Sequence, residues 1–177
     1  MNETRHQDWF ARGNKYFYEG QLDDALKNFK KSLYISEEKN HKAMIARCAN
    51  RVGAVLFEMG DYSKAEHFIK QSLATHEEIN EELHVILTKA HLNICYKKND
   101  KKFDKSNLDN LFNMVNIDDL DSRDNFIIFQ LTENKSCLKS SYNQLIQNAN
   151  TLESKEKNEF FEIPMNKRII EEFKKRI

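Results

Sequence analysis

The side chains with the widest chemical range in this sequence are six histidines, three cysteines and an acidic group at Asp118, Asp119 and Asp121. Cys48, Cys95 and Cys137 stand far apart and give neither a Cys-x-x-Cys pair nor a disulfide framework. Buried core thiols in a reducing compartment are the expectation. His84 and His91 are seven residues apart and can share a helix face, but a metal or catalytic pairing there is not the expectation. Together with His6, His41, His67 and His76 they are expected to be solvated or capping groups. The aspartates lack the following glycine and distal glutamate of a calcium loop, so they read as the start of a helix. The chain contains no glycine-rich phosphate loop and no His-Glu-x-x-His pair. The residues therefore point away from an enzyme and assign no metal and no cofactor.

What remains is binding chemistry, and the elements that position it follow from composition and repetition. The chain has 177 residues, with 28 basic and 28 acidic side chains and a formal net charge of zero. A protein built to neutralise phosphates carries a basic excess, so nucleic acid is disfavoured as the main partner. The basic run KKNDKKFDK at 97–105 reads as a solvated loop. One proline and four glycines favour long helices over a sandwich or barrel. The opening MNETRHQDWF lacks the apolar core of a signal peptide, and no apolar run reaches membrane-spanning length, which predicts a cytoplasmic protein. Plentiful Asn, Lys, Ile and Phe suggest an AT-rich genome.

Residues 13–40 repeat in residues 53–80 at a constant offset of 40: Gly13 on Gly53, Phe17 on Phe57, Gly20 on Gly60, Ala25 on Ala65, Leu33 on Leu73 and Asn40 on Asn80. Each unit reads as two helices. The first pair is predicted over 4–19 and 22–38, the second over 41–59 and 62–79. Gly20 and Gly60 sit where a left-handed residue must end a helix. Gly13 and Gly53 allow close approach to the partner helix, beside Phe29 and Ile69. A further first helix is expected near 81–98, and Leu108, Leu111, Phe112 and Val115 form the apolar stripe of its partner.

Trp9, Gly13, Tyr16, Gly20, Ala25, Phe29 and Ser32 resemble the signature of the tetratricopeptide repeat (TPR) family, and Ala49, Gly53, Leu56, Gly60, Tyr62, Ala65, Ile69 and Ser72 resemble it again. The period of 40 in place of 34, and Glu37 and Glu77 in place of the usual closing proline, are similar to the longer-helix branch of the family. That branch includes peptide receptors of Gram-positive bacteria and polarity adaptors of animal cells. The resemblance implies an all-α, antiparallel helix-pair solenoid with a right-handed superhelix, a bacterial source and a non-catalytic role in binding protein or peptide.

In such proteins the first helices line a concave groove. Carried over position by position, the resemblance implies groove residues Phe10, Asn14 and Phe17 in the first unit. In the second it implies Arg47, Asn50, Arg51 and Ala54, and in the third Leu87, Ala90, His91, Ile94, Lys97 and Lys98. Asn can hold a peptide backbone through two hydrogen bonds, and Arg can fork onto a carboxylate. Phe10 stands where chaperone-tail receptors have a lysine, which puts that specificity in doubt.

The organisation expected is a repeat region over 1–115, with units at 4–39, 41–79 and 81–115, followed by a degenerate helical pair and a capping helix over 116–177. In the latter region, 123–134 reads as a well-buried helix and Leu138 to Leu152 as an amphipathic one. Ser154–Asn158 reads as a polar break, and Pro164 as the start of the last helix. That helix either caps its own chain or closes a homodimer, and Phe160–Pro164 is a candidate built-in occupant of the groove. Three functions stay open: an adaptor that holds another protein or peptide, a regulatory signalling-peptide receptor, and a self-assembling helical scaffold.

Overall fold

The computed structural model describes residues 5–103, Leu108, Phe112 and residues 114–177. Apart from Leu108, Phe112, Met114 and Val115, the partner helix expected for the third repeat lies outside the described residues. Every regular element among the described residues is helical. The chain divides into two compact units, Met1–Phe103 and Asp104–Ile177.

The first unit contains α1 (Arg5–Tyr18), α2 (Leu22–Glu38), α3 (Lys42–Glu58), α4 (Tyr62–Glu78) and α5 (Glu82–Lys98). The second and fourth helices are 40 residues apart at both ends, as are the third and fifth. Each helix packs on its neighbour in sequence, and α3 also touches α5. This is the consecutive helix-pair packing of a solenoid.

The turns set this regularity. The backbone enters the left-handed region at Gly20, Asn40, Gly60, Asn80 and Asp100, with φ between 51° and 83°. After each of these residues the chain bonds back onto the helix just ended. The amide of Gln21 donates to the carbonyl of Tyr16, His41 to Ser36, Asp61 to Leu56, Glu81 to His76 and Lys101 to Tyr96, at 2.9–3.1 Å. These six-to-one bonds are Schellman turns, which satisfy carbonyls that a helix end leaves open. Glycine was the expected residue at two of the five positions. Asn and Asp fill the other three, because their short polar side chains tolerate the left-handed region.

Between the helices, small residues let backbones approach. A methyl group added at Gly13 would meet the Phe29 ring at 2.6 Å, and one at Gly53 would meet Ile69 Cγ1 at 2.6 Å. Phe29, Ala25, Ala65 and Ile69 are fully or almost fully buried. A second layer of the core joins Leu33, Met44 and Cys48, with Phe10, Ile45 and Phe68 packed at its margin. Cys48, Cys95 and Cys137 are all buried free thiols. Burial pushes the Cys48 thiol up to about 11, despite a 3.2 Å contact from its Sγ to Ser32 Oγ.

The second unit contains a 3-10 turn at Ile117–Asp119, then α6 (Ser122–Thr132), α7 (Lys135–Ala149), α8 (Ser154–Glu162) and α9 (Pro164–Arg176). Asp121 caps α6 by accepting the amide of Asp124. The run Phe126–Phe129 is buried throughout. Asn125, with no exposed surface, donates from Nδ2 to the carbonyls of Ile117 at 2.9 Å and Leu120 at 3.3 Å, which fixes the 3-10 turn against α6. Ser154–Asn158, expected from sequence to be a polar break, is instead the first half of α8. A capping box between Glu153 and Glu156 starts that helix, outweighing its polar composition. Pro164 occupies the first turn of α9, where its missing amide costs nothing. The Phe173 ring stacks on Tyr142 at 3.8 Å, and Arg176 lies over Phe129 at 5.5 Å, so α9 spends its apolar side on its own chain. Phe160–Pro164 forms the junction between α8 and α9.

Candidate functional site

The first helices of the second and third repeats face each other, and a polar bridge joins them. Asn50 on α3 donates from Nδ2 to Thr88 Oγ1 on α5 at 3.0 Å, and its Oδ1 lies 2.8 Å from His91 Nδ1. His91 stands 40 residues after Arg51, so the two occupy equivalent turns of neighbouring units. An amide group has two donor hydrogens and two acceptor lone pairs. The bridge uses one of each and fixes the plane of the amide.

Around this bridge the groove residues expected from sequence fall into two groups. Arg47, Asn50 and Arg51 lie on one side of α3, since 47, 50 and 51 are three and four residues apart. Arg51 is half-buried, and among the described residues it has no hydrogen bond or ion pair. Arg47 is exposed and meets Glu81 Oε1 at 3.8 Å. Asn14 on α1 is half-buried, and its Oδ1 has no donor among the described residues.

The second group is packed inward. Phe17 is buried, and Phe10 sits edge-on to Phe29 with ring centres 5.5 Å apart. Ala54, Ala90 and Ile94 are almost completely buried, and Leu87 is half-buried. A 17-residue helix flanked on both sides turns more than half its circumference toward neighbours, so positions at the edge of the groove stripe become core.

The structure also joins residues that the sequence did not. His76, Glu81 and His84 converge at the turn between α4 and α5. Glu81 Oε2 lies 2.8 Å from His76 Nδ1 and 3.4 Å from His84 Nδ1. The two imidazoles stack with centres 4.9 Å apart at 18°. His76 is 1% exposed, and its pKa is lowered mainly by burial, then by the neighbouring His84, against the opposing pull of Glu81. Of the histidines expected to be solvated or capping, His6, His76 and His91 are buried and so not solvated. His84 joins His76 and Glu81, while His91 joins Asn50. On a continuous helix, positions 76 and 81 would diverge by about 140°. Only the left-handed residue Asn80, at φ 57°, folds them together.

Near the C-terminal end of α5, Glu66 on α4 receives Lys70 Nζ at 2.8 Å and Lys101 Nζ at 2.7 Å. Hydrogen bonds from Lys101 and then Lys70 hold this carboxyl below its ordinary range, against the opposing effect of burial.

None of these groupings pairs a nucleophile with a base. No described helix is long and apolar enough to cross a membrane. A search of curated proteins finds no matching relative. The sequence profile of the tetratricopeptide repeat matches residues 9–78, which span α1 to α4 apart from the first residues of α1. Members of that family are generally non-catalytic and mediate protein–protein interactions. The helix pairs, the close-packed glycines and the matching profile together assign residues 9–78 to the tetratricopeptide repeat family.

Proposed function

We propose that the repeat region binds another polypeptide, as an extended segment or a protein surface, along the sides of α1, α3 and α5 that carry Asn14, Arg47, Asn50, Arg51 and His91. Phe10, half-buried on α1, supplies apolar area beside them. This reading rests on the Asn50–His91 pair at 2.8 Å, which pre-orients an amide on the residue preceding the half-buried Arg51. A fixed Asn loses little freedom when it captures a peptide group. Arg51 supplies a fork for a carboxylate on the guest. The protein acts as an adaptor in the cytoplasm, where its three buried thiols stay reduced.

Selection of a random-peptide library on the full chain, counter-screened on Arg51→Ala, tests the proposal. Recovery of peptides sharing an acidic or C-terminal carboxylate and losing affinity for the variant supports it. Peptides that bind both proteins equally place the contact elsewhere.

A second reading, a receptor for a short regulatory peptide, is favoured by the 40-residue helix spacing of the first unit. It requires tight binding of one short sequence, which calorimetry on the selected peptides distinguishes from broad adaptor binding. Self-assembly is the weaker reading, since Phe173 and Ile169 of α9 pack within the chain. Sedimentation of the full chain at micromolar concentration as a single monomeric species removes it.

A further inference from the structure

We propose that His76, Glu81 and His84 form a binding site for a divalent transition-metal ion of the zinc class. One donor atom of each residue lies within 4.8 Å of the other two. Bonds of about 2.0–2.1 Å from zinc to imidazole nitrogen and carboxylate oxygen place donors on a tetrahedron with edges on the order of 3.3 Å. The observed separations from Glu81 Oε2, 2.8 Å and 3.4 Å, bracket that edge. The two histidine donors lie within 4.8 Å of each other and must close toward that edge to complete it.

The scaffold is rigid. Glu81 follows the left-handed residue Asn80, and its backbone amide donates to the carbonyl of His76 itself at 3.1 Å. It also precedes the first residue of α5, and His84 stands three residues further on, in the first turn of that helix. All three ligands therefore hang from one locked turn, and such ligands are held more accurately than ligands on a free loop. The equivalent turn 40 residues earlier has Ser36, His41 and Met44, so the repeat itself does not require this set.

Two imidazoles and one carboxylate suit borderline cations and leave a coordination position open for water or a guest group. Magnesium and calcium, which take oxygen donors, do not suit it. The side chains of Glu81 and His84 are 26% and 40% exposed, which gives an ion a route to the buried His76. Arg47, 3.8 Å from Glu81 Oε1, opposes a cation but is itself 46% exposed and can swing outward. A bound ion would staple the end of α4 to the start of α5.

Calorimetric titration of the full chain with Zn²⁺ in chelator-treated buffer, with Co²⁺ absorption in parallel, tests this. One equivalent is expected, with a higher unfolding temperature in Zn²⁺ and no response to Mg²⁺. Glu81→Gln and His84→Ala, both at partly exposed positions, should each weaken binding at least about tenfold. Histidine-ring NMR spectra of the wild type provide a readout free of variants: Zn²⁺ must shift the His76 and His84 rings. Absence of Zn²⁺ binding overturns the proposal. So does binding that persists in both variants, or shifts confined to other histidines such as the neighbouring His6 and His41.

Discussion

His91 Nδ1 on α5 lies 2.8 Å from Asn50 Oδ1 on α3, and the same Asn50 donates to the buried hydroxyl of Thr88. One side chain thus ties the second repeat to the third. Net hydrogen-bond contributions of this kind are about 0.5–1.5 kcal/mol. A double-mutant cycle over Asn50→Ala and His91→Ala should return a coupling energy of that size in urea unfolding. Additive single effects would mean that the two side chains do not support each other.

Arg51 differs from its neighbour in what it should cost. Arg51→Ala is expected to change unfolding stability by no more than about 0.5 kcal/mol, the range of substitutions away from structural features. Yet it should lower affinity for a selected acidic peptide by tenfold or more. A large stability loss in thermal unfolding would instead make Arg51 a structural residue.

The glycines separate two kinds of constraint. Gly53→Ala places a methyl 2.6 Å from Ile69 Cγ1 and 3.1 Å from the backbone oxygen of Ala65, so helix approach must give way. Overpacking of this type costs about 1–3 kcal/mol. At Gly60 nothing lies within 4 Å of an added methyl, but φ is +83°. There the cost is the left-handed backbone alone, about 1–2 kcal/mol. Gly60→Asn should recover most of it, since Asn40 and Asn80 already occupy that conformation in this chain. Chemical denaturation of the three variants checks the order.

Glu66 gives the acid limb of stability a defined sign. Its folded carboxyl sits below the ordinary value of 4.5, chiefly through Lys101 and then Lys70. Stability from a depressed carboxyl is full above the unfolded value and fades as pH falls through the folded one. Glu66→Gln should therefore be less stable than wild type at pH 7, and the difference should close as pH drops below about 4. Both lysine side chains are 52% exposed, so salt should shrink the difference as well. Urea unfolding across pH 3–7 measures it, and a gap that widens toward acid contradicts the assignment.

Much of the first unit was legible because its constraints repeat. Gly13 and Gly53, or Gly20 and Gly60, recur with their packing partners at a fixed offset, and periodic apolar positions fix the helix faces. The left-handed roles of Asn40, Asn80 and Asp100 were less legible, since Asn and Asp serve many local structures while glycine at a helix end serves few. The same blind spot hid His76, Glu81 and His84. Their spacing of five and three has no meaning on one helix and acquires it only across the turn at Asn80. In the second unit, α8 was obscured because its polar surface carries little periodic signal, although Glu153 and Glu156 were the available cue. Phe10 and Phe17 show the opposite limit. Sequence placed them on the correct helix but left open how far neighbouring helices would cover them.

Whether the repeats hold a polypeptide at Arg47, Asn50 and Arg51 is decided by affinity purification from the native host with quantitative mass spectrometry. Wild type is compared with the Arg47→Ala, Arg51→Ala double variant. One or a few proteins should be enriched by the wild type and reduced at least tenfold with the variant, while circular dichroism shows the variant folded. Recovery of the same proteins at equal levels, or of none above a bait-free control, would contradict it.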